Sequence, residues 1–340
     1  MLPGLGDLLC AVPALAGLRR LLPTAHVTFI GRRTSRWFAD RFPDLIDGWI
    51  GCDWCPGLVE SADDPGALAG VLAEAGRRPF DVAIQLHGDG TATNAFTAAL
   101  GARHWAGLAR RPADHRRAVP ADTHEIDRCV EAVRATGLRI EPGPLLVPLG
   151  PDDDVPEEAP RGAFVVVHAG ASRPERRWPA ASFRAVSTRM LDHVDHVVLT
   201  GGWQEADVVA AVRYGAGSGD AFADGFVDLH GRTDLSALAA LLASARVVVS
   251  NDTGVAHLAA AIRAPTVAIF GRADRSRLEP PGATCVGGRL ALGAGEPALA
   301  GSFDTSVAAQ DRLSIYGTEC ASAGPDGSGP SFEGGRALAR

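Results

Sequence analysis

Apolar and polar positions alternate between two periods along the chain. Short β-branched or aromatic runs recur, and stretches with apolar residues at helical spacing follow them. In the first half this pattern predicts strands at 26–31, 45–50, 80–86 and 104–107. It predicts helices at 8–22, 36–42, 63–76, 95–100 and 124–136. Residues 148–162 hold four prolines and five acidic residues with little to bury, which reads as a linker. Strands at 163–168, 196–200, 247–249 and 266–270 follow, with helices from 181, at 235–245 and at 254–262. The strand ends near 168, 200, 230, 249 and 270 each run into small or polar residues. Strands alternating with helices in this way predict an α/β fold with doubly wound parallel sheets.

Beyond about residue 281 the pattern fails, and Gly, Ala, Ser and Pro dominate 287–340. The expected organisation is a Rossmann-like domain over 1–147, the linker over 148–162, a second such domain over 163–285 and a disordered tail over 286–340. A length of 340 residues accommodates two domains of ordinary size. With 46% hydrophobic and 21% charged residues, the chain reads as soluble and globular with sizeable cores.

The formal charge of −7 argues against nucleic acid as a partner. All 33 basic residues are arginine, so any cationic contact to phosphate comes from Arg or His. The six cysteines follow no disulfide framework, which points to the cytoplasm. Cys52 and Cys55 have CxxC spacing without the second pair a four-ligand zinc site needs, so no metal is expected. No apolar run is long enough to span a bilayer, and peripheral membrane contact stays open. Asp7 interrupts the apolar N-terminus, which argues against a signal peptide.

The candidate chemistry centres on 246–271, RVVVSNDTGVAHLAAAIRAPTVAIFG. A buried strand leads into a polar loop, a helix and a second buried strand. Ligands of parallel sheets bind beyond the carboxyl ends of the strands, and a helix N-terminus there suits phosphate. Asn251, Asp252 and Thr253 offer hydrogen bonds to sugar hydroxyls, Gly254 permits close backbone approach, and His257 lies one turn into the helix. Alternatively, Asp252 only caps the helix and His257 is an ordinary surface histidine. Arg173, Arg176 and Arg177, after the 163–168 strand and the Gly-Ala-Ser172 loop, suit phosphate; a solvated basic face is the alternative. After the 80–86 strand, His87, Asp89 and Asn94 are candidates for acceptor contact or parts of an ordinary turn. Asp7 follows Gly4-Leu-Gly6 and suits a helix cap.

The stretch SNDTGVAHLAAAIRAPTVAIFG resembles the signature of glycosyltransferase family 9, the heptosyltransferases of lipopolysaccharide biosynthesis. Gly6-Asp7-Leu8-Leu9 with Pro13-Ala14-Leu15 resembles a second family element. Gly-Ala-Ser172 with Arg176 and Trp178-Pro179 resembles a third, with Arg in place of the usual Lys. Leu229 to Thr233 resembles the segment before the helix at 235. The likeness covers about residues 4–281. Both ends depart from it: the first strand before the Gly-Asp loop is missing, and so is the last helix.

The resemblance implies two Rossmann-like domains facing across a cleft in GT-B arrangement. It implies transfer of a sugar, with heptose expected, from an ADP-heptose-like donor to an acceptor hydroxyl, inverting and without metal or cofactor. In that reading Asp7 is the catalytic base. Ser172, Arg176, Asn251, Asp252, Thr253, Gly254 and His257 form the donor site, and the acceptor is a glycan, a lipid-linked sugar or a small molecule. The rival readings are a sugar-nucleotide epimerase of related fold and a non-catalytic protein that binds nucleotide sugar.

Overall fold

The first helix is apolar on nearly every side, which is the pattern of a helix buried on all faces. This is α1 (Leu5–Leu21), and Leu8 to Leu15 are all buried. A computed structural model describes residues 4–53, 65–86, 90, 93–109, 116–119, 123–215, 225–271 and 275–287. Residues Met1–Pro297 form one compact unit.

After α1 the first half continues with β1 (Thr28–Gly31), α2 (Arg36–Arg41), β2 (Gly48–Gly51) and α3 (Pro65–Gly76). Then come β3 (Val82–Gln85), α4 (Thr93–Ala99), β4 (His104–Ala109), β5 (Arg116–Ala118) and α5 (Glu125–Arg134). The strands form two parallel sheets, β1-β2 and β3-β4-β5.

The second half runs β6 (Phe164–His168), α6 (Ala180–Met190), β7 (His196–Thr200), α7 (Ala206–Tyr214) and β8 (Phe226–Asp228). It continues with α8 (Leu235–Ser244), β9 (Val248–Asn251), α9 (Gly254–Ala261), β10 (Thr266–Phe270), α10 (Arg275–Leu278) and β11 (Thr284–Gly287). One six-stranded sheet, wholly parallel, has the order β11-β10-β9-β6-β7-β8. Strands β6, β9 and β10 are buried along their whole length. Their continuous Val and Ile runs are what a sheet covered on both faces requires. The chain winds outward from β6 through β7 to β8, then returns to β9 on the other side. The reversal point therefore lies between β6 and β9, where such sheets open a crevice for ligands.

The two halves share a core. Leu8, Leu9, Val12 and Leu15 of α1 and Phe38 of α2 pack in one cluster with Leu241 and Leu242 of α8, Val255 and Leu258 of α9, and Val166 and Val248 of the large sheet. Each such side chain contributes roughly 1.5–3 kcal/mol on burial, and α1 also packs on α5 of the first half, where Ala11 and Ala14 meet Val130 and Val133.

Several expectations need adjustment. Helix α1 starts at Leu5, ahead of residue 8, with Gly4 as its cap. Asp7 is thus not the cap; it lies inside the first turn, and its carboxylate accepts the Gly4 N–H at 2.9 Å. Strand β5 and helices α7 and α10 add to the expected elements, as does β11, which continues the sheet through 287. The 148–162 segment has no buried residue, as its composition suggests, yet one side chain ties it down. Asp153 is bound by Arg41 of α2, whose guanidinium also donates to Ser236 of α8 at 2.8 Å. The expected tail from 288 onward lies outside the described residues.

Candidate functional site

At the reversal point one side chain ties three segments together. Asn251, at the end of β9, is fully buried. Its Nδ2 donates to the carbonyls of Ala169 at 2.8 Å and Gly170 at 3.2 Å, and its Oδ1 accepts the Trp178 N–H at 2.9 Å. The amide therefore ties the β9 end to the loop after β6 and to the segment entering α6.

Asp252 and Thr253 follow. The Thr253 hydroxyl lies 3.1 Å from the Ser250 hydroxyl and makes no cap bond to α9. The backbone carbonyl of Thr253 receives the Ala256 N–H at 3.1 Å, one turn in. Gly254 and Val255 thus begin a helix whose first amides have no side-chain cap, the arrangement that receives anions. Asp252 is 3% exposed, and its Oδ2 lies 3.4 Å from Arg176 Nη1 with no closer partner. Burial pushes the Asp252 carboxyl above its ordinary range; Arg176 opposes this, and the Asp7 charge adds to it.

The first turn of α1 reaches the same place. A Cβ on Gly254 would stand 2.7 Å from Leu5 Cβ and 3.0 Å from the backbone nitrogen of Gly6. A Cβ on Gly6 would stand 3.0 Å from Cδ2 of His257. Two glycines 248 residues apart thus let the N-termini of α1 and α9 abut. They bring Asp7 to the edge of the loop that carries Asp252 and Thr253. His257 is buried, not on the surface, and its Nδ1 lies 3.9 Å from Cys10 Sγ. Burial, with His124 and Arg176 adding, lowers its pKa to about 4, so the ring is neutral at physiological pH.

Arg176 ends a short 3-10 turn at Pro174–Arg176, and its side chain is 31% exposed. Ser172 and Arg173 are exposed on the same loop. Arg177 instead donates to the Ala171 carbonyl at 2.9 Å and braces that loop.

On the first half, Asn94 is buried, and its Nδ2 donates to the Leu108 carbonyl at 3.0 Å, which joins α4 to β4. His87 and Asp89 lie outside the described residues, as does Cys55. Cys10, His168 and Glu205 belong to none of the sequence motifs above. His168, at the end of β6, is buried with Nδ1 3.2 Å from the Thr200 hydroxyl, and burial holds its pKa below the usual histidine value. Glu205 accepts the Gly202 N–H at 2.8 Å and closes over Gly170 at the reversal point. The Gly201-Gly202 pair three residues before Glu205 was the available signal for the last of these.

A stretch of 112 residues is 34% identical to lipopolysaccharide heptosyltransferase 1 of Pseudomonas aeruginosa. It covers 33% of this chain and spans only 30% of that relative's length. Solved structures resemble the chain over more of its extent. Glycosyltransferase family 9 from Veillonella parvula superposes with a TM-score of 0.67 at 20% identity, covering 85% of this chain and 84% of its own. The E. coli heptosyltransferase WaaC with ADP gives 0.65 at 19% identity, covering 84% and 91%. These likenesses show the fold, two parallel α/β halves of the GT-B type. The sequence profile of glycosyltransferase family 9 (heptosyltransferase) matches residues 72–294, more than half of the chain. The chain belongs to glycosyltransferase family 9.

Proposed function

We propose that the protein transfers a heptose from an ADP-heptose-like donor to the hydroxyl of a glycan, lipid-linked or small-molecule acceptor. The observation that carries this reading is the meeting of the α1 and α9 N-termini beside the reversal point of the sheet. The donor diphosphate lies against the Gly254 and Val255 amides, and Arg176 turns from Asp252 toward it. Asn251 acts through the loop it ties down, and His257 and Thr253 line the same corner. Ser172 stands on the opposite loop.

In the reaction, Asp7 takes the proton from the acceptor hydroxyl as that oxygen forms its bond to the anomeric carbon. The bond from that carbon to the diphosphate breaks on the opposite face, so the configuration inverts. The electron pair leaves with the nucleoside diphosphate, whose charge the α9 amides and Arg176 receive. The organisation proposed for the chain keeps an acceptor-side half over 1–147, a linker over 148–162 and a donor half over 163–285.

Asp7→Asn tests the assignment, because the amide keeps the shape and loses the proton acceptor. The transfer rate should fall about 10²–10⁴-fold while calorimetric affinity for the donor stays nearly constant. Unchanged turnover in the folded variant would remove Asp7 from the reaction.

A further inference from the structure

Cys10 follows Asp7 by three residues on α1, so both lie on neighbouring parts of one helix face. That face meets α9. Cys10 is 2% exposed and His257 4%, and Cys10 Sγ lies 3.9 Å from His257 Nδ1. A neutral imidazole has one donor nitrogen and one acceptor nitrogen, and its neighbours select which is which. The charged groups acting on this pair are Asp7, Glu125 and Asp252 on the acidic side and His124 and Arg176 on the basic side, with the Cys129 thiol close to Cys10. Burial raises the Cys10 thiol and lowers His257, so the contact joins a neutral S–H to a neutral ring. The thiol is a weak donor and a weak acceptor, whereas an unprotonated imidazole nitrogen is a good acceptor, which favours S–H donation to the ring. On its other flank the ring rests against Gly6 through Cδ2, the atom bonded to Nε2. That flank faces the junction of the two helix N-termini.

We propose that Cys10 is a positioning residue whose thiol donates to Nδ1 of His257 and fixes the tautomer with its proton on Nε2. This N–H is then presented as a donor to the diphosphate of the bound nucleotide sugar. The inference rests on the donor-site reading above.

Histidine-selective ¹⁵N labelling and NMR of the full chain test it, with the His257 signal assigned by its loss in His257→Gln. The wild-type spectrum should show Nδ1 unprotonated and Nε2 protonated. Cys10→Ala should give a tautomer mixture and weaken ADP-heptose binding about three- to tenfold, the scale of one lost neutral hydrogen bond. Cys10→Ser, which keeps a donor, should recover part of both effects, and the melting temperature of each variant reports folding separately. A wild-type ring protonated on Nδ1 would overturn the inference. So would an unchanged tautomer and affinity in Cys10→Ala. A wild-type protein that binds no nucleotide sugar would overturn the functional reading, and the tautomer spectra then decide the role of Cys10 on their own.

Discussion

Arg176 and His257 show how single residues are set by their neighbours at the site. Arg176 is the counter-charge of a nearly buried carboxylate two residues before α9. Arg176→Ala should weaken donor binding about 10- to 100-fold, the scale of a charge-assisted hydrogen bond, measured by calorimetry with ADP. His257 gives a pH signature. Its folded pKa of about 4 lies below the ordinary 6.5, so the unfolded chain binds more protons between those values. The resulting stability is present above about pH 6.5 and is lost as pH falls toward 4, by about 3 kcal/mol in all. His168, also depressed by burial, acts in the same direction. The Asp252 carboxyl, raised by burial, acts oppositely over its own range, since its ionised form is the one the fold disfavours. Urea denaturation of wild type and His257→Gln across that interval should show a shallower pH slope in the variant. Equal slopes would mean that His257 is not buried neutral.

Between elements, the contacts that matter join segments far apart in sequence. The α1–α9 approach depends on Gly6 and Gly254 having no side chains. In Gly254→Ala the added Cβ would overlap Leu5 Cβ and the Gly6 backbone, and neither is the far end of a flexible side chain. Overpacking of this kind costs about 1–3 kcal/mol. It also separates Asp7 from the donor loop, so kcat should fall more than stability alone explains. A fully active Gly254→Ala would show that the close approach is dispensable. Arg41 and Asp153 brace α2 against the 148–162 segment and α8, with side chains 10% and 5% exposed. Asp153→Ala leaves the Arg41 charge without its carboxylate and should cost about 3 kcal/mol by chemical denaturation. Removing the exposed Arg36–Asp40 pair should cost less than 1 kcal/mol.

Over the whole molecule, the sequence carried the periodic elements well and the contacts between them poorly. Strands 196–200 and 266–270 are legible to the residue, because short apolar runs rich in β-branched residues have few alternatives. Strand β5, with the sequence RRA, carries no apolar signal; it exists because β4 pairs with it. The start of α1 is hidden because Gly4 and Gly6 read as loop, whereas Gly6 lies in the first helical turn, where a Cβ would meet His257. At the site, the SNDTG motif located the loop. It did not show that Asn251 turns inward to bind Ala169 and Gly170, nor that His257 is buried against Cys10. Those are long-range contacts, set by sheet order and helix packing. Both halves converge on one corner, and the proposed transfer takes place there. The direct measurement is reaction of the full chain with a panel of nucleotide sugars and sugar acceptors, with products read by mass spectrometry and anomeric configuration by NMR. The expected result is heptose transfer from ADP-heptose, release of ADP and inversion at the anomeric carbon. A donor sugar epimerised without any acceptor, or tight donor binding with no product from any acceptor, would contradict it.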